Sequence, residues 1–397
     1  MQASLRKKRV ALFLTGLLLL GSLGLIGVHL SMGDVAGTRA TGARLETLKN
    51  SPQWDHSKAR FANKLPRYDG SMIEIMTSFF LGGSKYREPK APLPVTKPDP
   101  DLFQTFPASG LRVTWMGHST YLVELDSTRT LVDPMWSERA SPFPWAGPKR
   151  FYPPPIPIEK LPPLDAVLIS HDHYDHLDRK TVASLASKVP RWIVPLGIGA
   201  HLEHWGITHN KIVELDWWQR QKLGPVTITA TPSRHFSGRH IVGQNRTLWA
   251  GWAWEGPTRR LFYSGDTALH PEFEAIGDKL GPFDLTIIEI GAYNPLWPDV
   301  HLGPEQAVVA NQLLRGKVIL PAHWGLFDLA MHGWTEPVER LIQAAREKKI
   351  PLAVIPPGGS FDIDRPPGIE RWWPQQPWES VTETPVWSSG VEHLHDN

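Results

Sequence analysis

The stretch Ile169-Ser170-His171-Asp172-His173-Tyr174-Asp175-His176-Leu177-Asp178 follows directly on the apolar run Ala166-Val167-Leu168-Ile169. Three imidazoles and a carboxylate fall in positions 171–176 as H-x-H-x-D-H, although His makes up only 17 of the 397 residues. A strand that ends in such a run sends alternate side chains to one side. His171 and His173 can then grip one metal ion, and Asp175 and His176, past the bend, can face a second. Nitrogen and oxygen donors without thiolate suit Zn²⁺, with Fe and Mn as hard-ligand rivals. A loop of solvated histidines is the competing reading. It weakens because the rest of the chain supplies further donors in the same kind of place.

Each of three other residues ends a strand-like run. His235 follows Val226-Thr227-Ile228-Thr229-Ala230-Thr231, an alternating β pattern. Asp266 follows Arg260-Leu261-Phe262-Tyr263-Ser264-Gly265, where Gly265 lets the backbone approach closely. His323 follows Val318-Ile319-Leu320-Pro321-Ala322. Singly, each could be a satisfied core histidine or a helix-capping aspartate. Together, at the ends of successive strands after H-x-H-x-D-H, they read as metal ligands.

With these residues the chain resembles the metallo-β-lactamase superfamily. Trp115-Met116-Gly117-His118, Leu131-Val132-Asp133-Pro134, Gly147-Pro148-Lys149-Arg150-Phe151 and Asp216-Trp217-Trp218 narrow the likeness. So do Gly281-Pro282-Phe283-Asp284 and His301-Leu302-Gly303-Pro304-Glu305. In this order they are similar to the N-acylphosphatidylethanolamine-hydrolysing phospholipase D family, over roughly residues 105 to 360. The resemblance implies an α/β protein, an αββα sandwich of two mixed β-sheets flanked by helices. It also implies two Zn²⁺ per chain: His171, His173 and His235 on one, Asp175, His176 and His323 on the other, Asp266 bridging. Water held between the ions would attack a phosphodiester, giving an N-acylethanolamine and phosphatidic acid, with Asp175 and His301 as the catalytic residues. His301 would contact phosphate or protonate the departing oxygen, its alternative being a loop histidine that caps the next helix. Tyr174 would face the substrate, or stack on a neighbouring loop. Asp133, and in the same way Asp178, would orient a ligand histidine rather than bind metal. The run His235-Phe236-Ser237-Gly238-Arg239-His240 departs from the family pattern. No groove for an acyl chain is identifiable.

The remaining features bound this reading. A net charge of +2 gives no nucleic-acid footprint, which disfavours a tRNA-processing nuclease. Zero cysteines exclude disulfides, thiolate ligands and a lipoprotein anchor. Arg6-Lys7-Lys8-Arg9 precedes an uncharged run over residues 10–32, long enough to cross a bilayer. We expect residues 1–33 to form a membrane anchor, or a signal peptide cleaved near the small residues that follow. The domain would then lie outside the cytoplasm, on the periplasmic side of an inner membrane, or be secreted. Residues 34–104 read as a polar, proline-rich linker over the domain, with an apolar stretch at 72–81 that docks on the core. Residues 105–363 form the hydrolase domain, and residues 364–397 an extended tail rich in Trp and Pro. Trp297, Trp372, Trp373 and Trp378 could serve at a lipid interface. Helices are expected over 179–188, 197–206, 271–280, 304–314 and 336–348. The expected partners are a phospholipid substrate, a membrane and a second copy of the chain, with no nucleic acid. Competing functions are a lactonase or other acyl hydrolase of the same fold, and a zinc-binding scaffold with no turnover.

Overall fold

Leu111–Gly117 (β1), Thr120–Leu125 (β2) and Thr128–Val132 (β3) are buried along their whole lengths. Strands buried on both faces need cover on both sides. Their alternation sorts the cover: Val113, Trp115, Tyr121 and Val123 point into one apolar cluster, and Met116, Leu122 and Leu131 into another. The computed structural model describes residues 32–68, 70–240 and 243–391, together with 27 and 394.

Three antiparallel hairpin strands open the first sheet. Ala166–Leu168 (β4), Trp192–Pro195 (β5) and Ile212–Leu215 (β6) then continue it in parallel. The second sheet repeats the scheme. Arg220–Leu223 (β7), Val226–Thr231 (β8), Gly251–Glu255 (β9) and Arg260–Tyr263 (β10) are antiparallel. Leu285–Glu289 (β11) and Ile319–Ala322 (β12) follow in parallel. A last strand, Ser360–Asp362 (β13), pairs with β1 and completes a seven-stranded sheet facing the six-stranded one. Val123 from one sheet and Ile228, Trp252 and Trp254 from the other share the central core.

Helices Gly42–Lys49 (α1) and Met72–Leu81 (α2) precede the sandwich. Arg179–Leu185 (α3) and Ile198–His204 (α4) cover the first sheet through Val182, Leu185, Ile198 and Leu202. Glu272–Leu280 (α5), Pro304–Leu314 (α6) and Glu336–Glu347 (α7) cover the second through Phe273, Ile276, Val308 and Leu341. The architecture is the expected αββα sandwich. α6 begins with Pro304 at its first turn, where a missing N–H costs nothing.

The segment before the sandwich lies over the domain as a strap. Arg44 of α1 pairs with Glu203 and Glu214 at 2.7 and 2.6 Å, and Trp54 and Phe61 are buried in the central core. The apolar stretch at 72–81 departs from expectation: it is a helix none of whose described side chains belongs to the core. Met72, Ile73, Met76 and Leu81 of α2 are 69%, 78%, 50% and 88% exposed. The expected membrane-spanning helix, and the inner-membrane location built on it, are corrected as well. No helix among the described residues is long and apolar enough to cross a membrane. Of the run 10–32, all but Gly27 and Met32 lie outside the described residues. Met32 is buried, and the chain beyond it is fastened to protein: Asp34 pairs with Arg179 and His204, and its carbonyl accepts from Trp205.

The tail after residue 363 also packs back. Trp373, Val391 and Leu394 are buried. Trp372 and Trp373 belong to an indole cluster with Trp115 and Trp324, ring centres 5.3–5.9 Å apart, so these two tryptophans serve packing. At roughly 200 Å² of apolar surface per ring and about 25 cal/mol per Å², such indoles can hold a tail that has no helix or strand of its own among the described residues.

Candidate metal centre

The centre sits at one edge of the sandwich, where strands end. His118 follows β1, Asp133 β3, His171 β4, His235 β8, Asp266 β10 and His323 β12. Parallel strands deliver their carboxyl ends to one side, which is where open α/β sheets place ligands. His118, Asp133 and His323 turn the chain sharply there, at φ of 52°, 40° and 60°. Strain of this kind gathers at functional sites. Gly265 also has a positive φ, and a Cβ on it would sit 2.9 Å from the carbonyl oxygen of Ala250.

Three groups of donors converge: His171, His173, His235 and Asp266 in the first, His118, Asp175, His176 and His323 in the second, and a third that joins Asp266 and His323 to Glu289 and His301. In the first, His171 Nε2 and His235 Nε2 lie 2.8 and 3.2 Å from His173 Nδ1. In the second, Asp175 Oδ2 lies 3.4 Å from both His176 Nε2 and His323 Nε2. Asp266 Oδ2 reaches both: 3.2 and 3.0 Å to His176 and His323, 3.6 and 3.7 Å to His171 and His235. The structure thus brings all seven sequence-predicted ligands together, with Asp266 between the triads.

The donor set fits a pair of cations. Burial holds the His171 imidazole well below its usual range, with His176 adding to the effect, and burial does the same at His235. Both rings are therefore neutral near pH 7, and their lone pairs crowd His173. His176 Nε2, His323 Nε2 and Asp266 Oδ1 are buried without a hydrogen-bond partner, a costly arrangement unless an ion takes them up. Burial opposes a proton on His323, yet Asp266 and Asp175 outweigh it and lift the ring to about 10. Positive charge is what this pocket lacks. Neutral imidazoles and carboxylates are the donors that Zn²⁺ accepts.

A further layer of hydrogen bonds aims the donors. Asp133 Oδ2 accepts from His176 Nδ1 at 2.8 Å and from Tyr263 at 2.6 Å, and Ser170 holds both its oxygens. His235 Nδ1 donates to the Val300 carbonyl at 2.8 Å. His118, whose role the sequence left open, places Nε2 3.0 Å from Asp175 Oδ2, and burial followed by His323 holds it down to about 3. Asp178 does not touch a ligand histidine. It caps α3 and binds Ser137 and Thr181.

A cavity of about 540 Å³ opens over the centre, lined by His173, Asp175, Asp266, His301 and His323. Apolar side chains complete the lining: Met72 and Ile75 of α2, Leu296, Trp297 and Leu329, and Phe236, whose ring centre lies 4.4 Å from that of His173. Arg67 of the strap also lines it, its guanidinium 5.3 Å above the Phe236 ring. His301 does not cap α6, whose cap is Gly303; its Nδ1 instead lies 2.8 Å from Glu289 Oε2. Tyr174 is not among the lining residues. Its hydroxyl donates to the Arg239 carbonyl at 2.7 Å and its ring lies under the Arg239 guanidinium at 4.1 Å. Arg234, next to His235, is buried: it donates to the carbonyls of Pro66, Leu269 and Ser389 and pairs with Asp299 at 3.0 Å.

Residues 128–324 match the family described as the beta-lactamase superfamily domain. A Mycobacterium tuberculosis protein described as uncharacterized is 47% identical over 290 residues, 72% of this chain and 77% of that one. N-acyl-phosphatidylethanolamine-hydrolyzing phospholipase D 1 of Caenorhabditis elegans is 40% identical over 270 residues, 64% of this chain and 75% of the worm protein. The chain belongs to the metallo-β-lactamase superfamily. As a member of that superfamily it is a metal-dependent hydrolase. Among solved structures, the isothiocyanate hydrolase from Delia radicum gut bacteria covers 63% of this superfamily member and 98% of its own chain. Its TM-score is 0.51 at 20% identity, a likeness of fold alone.

Proposed function

We propose that this hydrolase is a phosphodiesterase of the phospholipase D type. It would cleave N-acylphosphatidylethanolamine-like phospholipids to an N-acylethanolamine and phosphatidic acid, with two Zn²⁺ per chain. The observation that carries the reading is the one cavity in which a seven-donor, two-triad centre meets a wall of Met72, Ile75, Leu296, Trp297 and Leu329. A charged phosphodiester fits the first and an acyl chain the second. The 40% identity to the worm phospholipase D supports the same choice.

Bound ions would supply a water acidic enough to attack at neutral pH and positive charge against the phosphate oxygens. The protein's own residues supply the rest. Arg67 brings a fixed cation to the phosphate side of the cavity. Apolar side chains of α2 and the loop 292–300 hold the acyl chain and exclude water. His301, beside the donors but outside the seven, gives a proton to the ethanolamine oxygen as its bond to phosphorus breaks.

The test is metal analysis alongside hydrolysis of N-acylphosphatidylethanolamine, products read by mass spectrometry, with a lactone run in parallel. Two zinc ions per chain and phosphatidic acid as product are expected. A fully metallated protein that opens the lactone and leaves the phospholipid intact would overturn the proposal.

A further inference from the structure

Glu289 is the last residue of β11, the strand between β10 and β12, whose ends deliver Asp266 and His323. Its carboxylate is fully buried. Burying a carboxylate costs several kcal/mol unless its lone pairs are used, and here they are. Oε1 accepts from the backbone N–H of Thr267 and, at 3.3 Å, of Leu302, while Oε2 meets His301 Nδ1 at 2.8 Å. Glu289 does not line the cavity, whereas His301 does. A glutamine would serve the two backbone donors equally well. Only the contact with His301 calls for a carboxylate.

We infer that Glu289 is a positioning residue for proton donation, holding the His301 ring by Nδ1 so that Nε2 is the nitrogen left to the reacting oxygen. A Glu289 oxygen also stands within 4.8 Å of donor atoms of Asp266, His301 and His323, but Thr267 and Leu302 engage Oε1 and His301 engages Oε2. The inference rests on the phosphodiesterase reading above. In that step water oxygen bonds to phosphorus, and the bond from phosphorus to the ethanolamine oxygen breaks with its electron pair going to oxygen. The Nε2 proton of the His301 imidazolium passes to that oxygen, leaving a neutral imidazole, and the proton released by the water restores the imidazolium. The Glu289 carboxylate offsets the charge on the ring while it carries the proton. The same arrangement, a carboxylate behind the Nδ1 of a working histidine, fixes ring orientation in triads of unrelated fold.

The experiment compares full-length wild type, Glu289→Gln, Glu289→Ala, His301→Ala and the Glu289→Ala/His301→Ala double variant. Each is assayed on N-acylphosphatidylethanolamine, whose alkoxide needs a proton to leave, and on bis(p-nitrophenyl) phosphate, whose nitrophenolate does not. Glu289→Ala should lose about 10- to 100-fold in kcat on the phospholipid, part of the typical worth of a general acid, and several-fold less on the nitrophenyl ester. The double variant should be no slower than His301→Ala, since the two act as one unit. Glu289→Gln keeps the backbone contacts and so guards against a folding defect. Equal losses on both substrates, additive losses in the double variant, or loss of a bound metal ion would each overturn the assignment. If wild type cleaves neither phosphodiester, the functional reading falls on its own. Glu289 is then judged by the ¹⁵N shifts of His301, which should differ between wild type and Glu289→Gln; identical shifts would overturn it.

Discussion

The two walls of the cavity are built in opposite ways. On the sandwich side His171, His176 and His235 are fully buried, held by Ser170, Asp133 and Val300. On the strap side α2 presents Ile73 and Leu81 at 78% and 88% exposure, while Met72 and Ile75 of that helix reach the cavity. One wall is fixed by strand ends and hydrogen bonds on several sides. The other is a short helix with few buried contacts. The chemistry therefore rests on the part that resists change, and the choice of substrate on a part that substitution can alter at little cost in stability.

The largest expected break in this contrast comes from Asp266→Ala. Removing the carboxylate that reaches both triads should cost one or both metal ions and abolish hydrolysis, with the circular-dichroism spectrum retained. Two bound metals with ordinary turnover would refute the bridging assignment. Next in size is His301→Ala, expected to lower turnover on the phospholipid by about 10²–10⁴-fold, the usual worth of a general acid, with metal content unchanged. Unaltered kcat with a small fall in melting temperature would make His301 a structural loop residue. Asp133→Asn tests the hydrogen-bond layer behind the donors. Metal affinity should weaken by about 10–100-fold, measured by competition with a chelator; an unchanged affinity would show that His176 is aimed by packing alone. The smallest effect belongs to the strap: Ile73→Ser with Leu81→Ser should shift stability by no more than about 0.5 kcal/mol. A drop of many degrees in melting temperature would mean that α2 is packed in solution, and the contrast between the walls would fail.

Much of this was legible in the sequence, for a definite reason. Donors that end parallel strands share an edge whatever the loops do, so His171, His235, Asp266 and His323 could be assembled without knowing the sheet order. The same rule would have found Glu289, which ends the apolar run Leu285-Thr286-Ile287-Ile288. It escaped because a glutamate after a strand is so often a solvated one, and nothing local marks its burial. His118 stood in a recognised stretch but had no role until the fold brought Asp175 to it. The five expected helices of the domain are all present, most of them with Pro or Gly at or near the start, whereas α1 begins at Gly42 but has a weak apolar face. The apolar composition of α2 pointed inward, yet Met72, Ile73, Met76 and Leu81 stay exposed. Composition alone cannot separate a core helix from a cavity rim. Tyr174 carries the same lesson at one residue: its partner, Arg239, is brought near only by the loop after β8.

Arg234 gives the protein a boundary wider than its fold. One guanidinium joins the strap at Pro66, the tail at Ser389 and the loop at Asp299 that leads to His301, beside the ligand His235. A version trimmed to the sandwich would keep every metal donor, yet it would bury an arginine stripped of its strap and tail acceptors, directly next to His235. The strap and the tail, far apart in sequence, are in this sense parts of the catalytic module. Shortened forms made for crystallisation or directed evolution should keep both.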